Sequence, residues 1–139
     1  MKNKQIFIVF LGILFVLSCE DSIIQTEEYD SDNKKIIGRW NWVQSNGGFA
    51  GVTETPESEG YTSYFIFKED RTLEIYKNDT LKYQYIYTLS KEKTIFSIDS
   101  LPVIMFGDHV AWLYSFQTED TLILNDNICD GFSHTYSRN

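Results

Sequence analysis

The run Leu81-Lys82-Tyr83-Gln84-Tyr85-Ile86-Tyr87-Thr88-Leu89 alternates so regularly that it admits few conformations: its odd positions are apolar or aromatic, and its even ones are polar except Ile86. A period of two is that of a strand with one face turned to a core, and a helix cannot sort these residues onto one side. Residues 61–67 and 72–76 repeat the pattern less strictly. Beyond Lys35 the chain breaks into similar runs rich in β-branched and aromatic residues, separated by Gly, Asn, Asp and Ser. Strands are predicted at about 36–45, 60–68, 71–78, 80–90, 93–99, 108–117, 120–125 and 131–138. Alanine occurs only at Ala50 and Ala111 whereas aromatic residues make up 16% of the chain, which also favours strands over helices.

Short links join these runs. Lys68 to Arg71, Lys77 to Asp79 and Ser90 to Glu92 read as tight turns, and Asp130-Gly131 opens the last strand. Neighbours joined so closely pair antiparallel, and eight such strands can close into an up-and-down barrel that has no exposed edge. The expected fold is therefore an all-β, eight-stranded antiparallel barrel. The longest loop, Asn46 to Glu59, carries Gly47, Gly48, Gly51 and Pro56; it is expected to be irregular and is placed to act as a lid over one barrel mouth.

The chain starts differently. Lys2 and Lys4 precede an apolar run from Ile6 to Leu17, a charged segment followed by a hydrophobic one. That run falls well short of the roughly 20 residues of a membrane-spanning helix, so it reads as a targeting signal. Val16-Leu17-Ser18-Cys19, directly at its end, resembles the lipobox of bacterial lipoproteins. The resemblance implies cleavage before Cys19, attachment of acyl chains such as palmitate to that cysteine, and retention on a membrane of the cell envelope. The expected organisation is a signal peptide over 1–18, a lipidated acidic tether over 19–35, with a short helical turn at Ser31 to Lys35, and one barrel domain over 36–139. Glu20-Asp21 is similar to the export signals of outer-membrane lipoproteins in the Bacteroidota, or else is the start of a charged linker. The outer membrane is expected rather than the inner.

Without residues 1–18 the chain has ten basic residues against 20 acidic ones, a formal charge of about −10. Such a surface repels polyanions, which excludes nucleic-acid partners. No catalytic or metal-binding spacing stands out. His109 and His134 stand apart from each other and from any cysteine, and Asn125-Asp126-Asn127 lacks the ligand alternation of a calcium loop. Loss of Cys19 to lipid leaves Cys129 without a disulfide partner. Neither an enzymatic activity, a metal nor a cofactor is expected.

Ile36-Ile37-Gly38-Arg39-Trp40 and Tyr136-Ser137-Arg138 bracket the strands, and with them the chain resembles the short lipocalin-like (calycin-type) lipoproteins of the Bacteroidota. The resemblance covers roughly 36 to 139 and implies that Arg138 packs over Trp40 and plugs one barrel end, with Gly38 allowing the neighbouring backbone close to the ring. If the odd positions of 81–89 and the even ones of 110–116 point inward, the interior receives Tyr83, Tyr85 and Tyr87, then Trp112, Tyr114 and Phe116. Buried phenols need hydrogen-bond partners. Either these rings fill the core, or Tyr83, Tyr85, Tyr87, Trp112 and Tyr114 line a pocket for a small, partly apolar ligand. In the first case the barrel serves as an interaction or structural module for another envelope protein.

Overall fold

The computed structural model describes residues 31–108 and 110–138. The expected signal peptide, Cys19 and the expected tether to residue 30 lie outside the described residues, as do His109 and Asn139. After a helical turn at 31–35 (α1), the chain runs β1 (Gly38–Gly47), β2 (Val52–Glu54), α2 (Pro56–Glu59), β3 (Ser63–Phe67), β4 (Thr72–Lys77), β5 (Thr80–Thr94), β6 (Ser97–Phe106), β7 (Val110–Thr118), β8 (Thr121–Asp126) and β9 (Phe132–Ser137). All pairings are antiparallel. Strands β1 and β3 to β9 neighbour one another in order, and the β1–β9 ladder, from Asn41↔Ser137 to Gly47↔Phe132, closes the sheet into an eight-stranded barrel.

The turns follow local chemistry. Asn78 and Asp79 both take positive φ, as a two-residue hairpin matched to the right-handed twist of its strands requires. Arg71, also at positive φ, closes the β3–β4 turn, where the Lys68 N–H bonds the Thr72 carbonyl at 2.9 Å.

Three expectations need correction. The 46–59 segment is not irregular: β2 extends the ladder of β1 through Ser45↔Glu54 and Gly47↔Val52. Thr55 then caps α2 in a reciprocal box with Ser58, and Pro56 sits in its first turn, where no N–H is needed. Glycine and proline here start and stop elements rather than forbid them. The second correction concerns the predicted turn at Ser90 to Glu92 and strand at 93–99. β5 instead runs on to Thr94, pairing Lys91↔Pro102 and Glu92↔Leu101 with β6. Its polar stretch resembles a turn because this half of the hairpin is largely exposed, yet ladder hydrogen bonds depend on the backbone and are indifferent to that polarity. The third concerns 31–35, counted with the tether, which packs on the barrel as described below.

Trp40, Phe65, Phe67, Leu73, Tyr87, Leu89, Ile104, Leu122 and Leu124 belong to the buried core cluster. Rings from opposite walls touch: Trp40 on β1 lies 6.0 Å from Phe116 on β7, and Phe65 on β3 stacks 5.5 Å from Trp112 on β7. The lumen is filled at both levels. On the outer face, Val103 (0% exposed) pairs with the buried Leu113, and the tip of the β5–β6 hairpin reaches the β8–β9 connection, where the Ile95 N–H donates to Asn127 Oδ1 at 3.1 Å.

Candidate functional site

The two ends of the barrel differ. At one, α1 and the residue after β9 form a plug: the Arg138 guanidinium carbon lies 4.3 Å over the Trp40 ring, and its Nη2 donates to the carbonyls of Lys35 and Ile37. The Trp40 indole donates to the carbonyl of the fully buried Ile36 at 2.7 Å. Tyr114 donates to Asp32 Oδ2 at 2.9 Å, and the Lys35 ammonium stands 4.6 Å from the Phe116 ring. Gly38 has φ +126° and open space around its missing Cβ. Its role is this backbone conformation rather than the close approach to the ring inferred from sequence.

The other end is an open mouth. A bulge between Trp42 and Gln44 shifts the register of β1, so Ser45 turns inward where unbroken alternation would have aimed Gln44. Ser45 pairs with His134, and with Trp42, Glu54, Tyr61, Ser63 and Tyr136 these two line a recess of about 150 Å³. Trp42 and Tyr61 stack with centroids 5.4 Å apart, and the Lys77 ammonium rests 3.4 Å from the Tyr61 ring centre.

A hydrogen-bond chain runs through this mouth. The Trp42 indole donates to Ser45 Oγ at 2.8 Å, and Ser45 Oγ is 2.7 Å from His134 Nδ1. His134 Nε2 stands 3.5 Å from Asp126 Oδ1, which accepts the Trp112 indole N–H at 3.0 Å. Asp126 Oδ2 accepts the Phe132 N–H at 2.9 Å. Serine, histidine and aspartate thus meet in space although nothing in their sequence spacing announces it. Ser45 is only 2% exposed and its oxygen already receives the indole proton, so it is poorly placed to attack a substrate. The chain orients His134 and Trp112 at the rim.

Tyr136 is 6% exposed and lines the recess. Burial, reinforced by Tyr61 and Asp126, pushes its phenol pKa far up, so the group is a neutral hydroxyl. Burial and the carboxylates of Glu54 and Glu59 raise that of Tyr61.

The residues inferred from sequence fall into two groups. Tyr87 and Tyr114 lie in the plugged half with their hydroxyls occupied, Tyr87 by the Lys68 carbonyl at 3.3 Å and Tyr114 by Asp32. Tyr85 and Trp112 both pack on Phe106 near the open mouth, at 5.5 and 4.7 Å. Tyr83 is a correction: its face is the inward one, but it stands beyond the wall at 58% exposure, stacked on Tyr85. Trp42, Ser45, Tyr61, His134 and Tyr136 were missed as a group, because the bulge and the β1–β9 closure that join them leave little trace in sequence. Cys129 is exposed and free.

Fold and site together define a closed eight-stranded antiparallel β-barrel with one end plugged and an aromatic, partly polar recess at the other. No family model, no curated protein and no solved structure matches this chain.

Proposed function

We propose that this protein is a lipid-anchored, lipocalin-like envelope lipoprotein whose open barrel mouth binds a small, partly apolar molecule. The observation that carries this reading is the recess at the open mouth, about 150 Å³, where the rings of Trp42, Tyr61 and Tyr136 stand beside the polar groups of Ser45, Ser63, Glu54 and His134. The filled lumen moves binding from the barrel centre to the rim, and the recess limits the ligand to a few heavy atoms. The lipid anchor rests on the lipobox at Val16 to Cys19 and its apolar leader.

Native mass spectrometry of the full-length lipoprotein released from detergent tests the proposal. A co-purifying small molecule is expected on the wild type and is expected to be depleted in Tyr136→Phe, which deletes only the hydroxyl. Equal retention by the variant, or no adduct together with no stabilisation in a thermal-shift screen of small aromatics and lipids, overturns it.

A second reading has its own support. The rings that cross the lumen, and the exposed Ile95, Phe96 and Ile98 at the hairpin tip, suit a filled barrel that contacts another envelope protein. Loss of such a complex in Ile98→Asp, with no ligand at the mouth, favours it.

A further inference from the structure

The recess has a distinctive chemistry for its size. Three of its lining side chains are the aromatic rings of Trp42, Tyr61 and Tyr136, and beside them stands the Glu54 carboxylate. Asp126 adds a second carboxylate behind His134. Aromatic faces carry negative potential and attract cations, and the Tyr61 ring already holds one, the ammonium of Lys77 at 3.4 Å. The rest of the lining, Ser45, Ser63 and His134, contributes no permanent positive charge. Of the lining side chains Glu54 alone carries a permanent charge, and the nearby Lys77 ammonium is engaged on the Tyr61 ring.

We infer that the recess selects a small organic ammonium ion, with the rings of Trp42, Tyr61 and Tyr136 around its alkyl groups, Glu54 neutralising its charge, and the Tyr136 hydroxyl as a polar contact. The inference rests on the mouth-binding reading and narrows it to one ligand class. A volume of about 150 Å³ suits a quaternary ammonium head with a short arm. Glu54 is the selective element, since it discriminates by charge while the rings accept charged and neutral alkyl groups alike.

The test compares choline with 3,3-dimethylbutan-1-ol, which has the same shape and hydroxyl but no charge. Both are titrated by calorimetry into the full-length lipoprotein in non-ionic detergent. Choline is expected to bind about tenfold tighter, and Glu54→Gln to remove that advantage while leaving the alcohol unchanged. Added salt should weaken choline and spare the alcohol. Glu54 is partly exposed on the short β2, and an unchanged unfolding temperature in Glu54→Gln verifies that the variant folds.

Equal affinities, or a choline advantage that survives Glu54→Gln, overturn the ammonium inference. In that event alcohol binding weakened by Tyr136→Phe still supports the mouth reading, so the two failures are distinguishable. Binding of neither compound also overturns the inference, and the co-purification experiment then decides the mouth reading separately.

Discussion

Trp40 shows how much one side chain does at the plugged end. Its ring is fully buried, crosses the lumen to Phe116, carries the Arg138 guanidinium and donates to the Ile36 carbonyl. Trp40→Ala is expected to lower stability by about 3–5 kcal/mol, the range for a truncated buried aromatic. Arg138→Ala should cost less. The two losses should sum to more than the double variant shows, because both remove one shared contact; strict additivity in a denaturant double-mutant cycle would refute that coupling. A second residue-scale effect involves charge. Glu74 is buried on the outer face of β4, where Lys68 binds its Oε1 at 2.5 Å and the Tyr76 hydroxyl donates to Oε2 at 3.1 Å. The Lys68 hydrogen bond holds the Glu74 carboxyl below its usual 4.5 and the Lys68 ammonium above its usual 10.5. The carboxylate's contribution is thus present above the ordinary glutamate range and fades as pH falls through the lowered folded value. The lysine's contribution fades only as pH rises through its raised folded value, above 10.5. Denaturation midpoints of wild type should drop more steeply on acidification below about pH 4.5 than those of Glu74→Gln; parallel acid limbs would contradict this.

At the scale of elements, the β5–β6 hairpin behaves unlike the other strand pairs. Its inner portion, Tyr87 and Leu89 facing Ile104 and Phe106, belongs to the barrel wall. Its outer portion crosses to the β8–β9 connection and leaves Val103 and Leu113 buried outside the main core. Val103→Ala should therefore cost about 1.5–3 kcal/mol, as for a core valine, despite its place on the outer face. Ile98→Ser, 93% exposed on the same strand, should stay within about 0.5 kcal/mol of wild type. Urea melts of the two variants check the contrast, and equal effects would mean that the hairpin leaves Val103 open to water. The hairpin is also where sequence reading went wrong. Lys91 to Lys93 are polar and exposed, which in sequence cannot be told from a turn.

For the whole molecule, the chain enters the barrel at the plugged end through α1, opposite the open mouth. Cys19→Ala is expected to release the protein from membranes on the lipoprotein reading, since the apolar run Ile6 to Leu17 is too short to span a bilayer. Fractionation checks this, and a variant still recovered with the membranes would count against the lipoprotein assignment. With ten more acidic than basic residues over 19–139, the molecule should also bind cations more readily than anions at its mouth.

Much of this architecture was legible locally. Alternation over 81–89, the Asn78-Asp79 hairpin and the scarcity of alanine determine strands, their antiparallel order and one buried face, because side-chain period and turn geometry depend on near neighbours. Trp40 and Arg138 were legible too, as two ends of the chain that bracket the strands. Tertiary structure alone decided which residues share a mouth. A one-residue bulge after Trp42 reverses the facing of Ser45, barrel closure sets it against His134, and β5 outruns the wall so that Tyr83 meets solvent while Tyr87 is buried. Each depends on register between segments distant in sequence, and a shift of one residue in register exchanges the inner and outer faces of a strand.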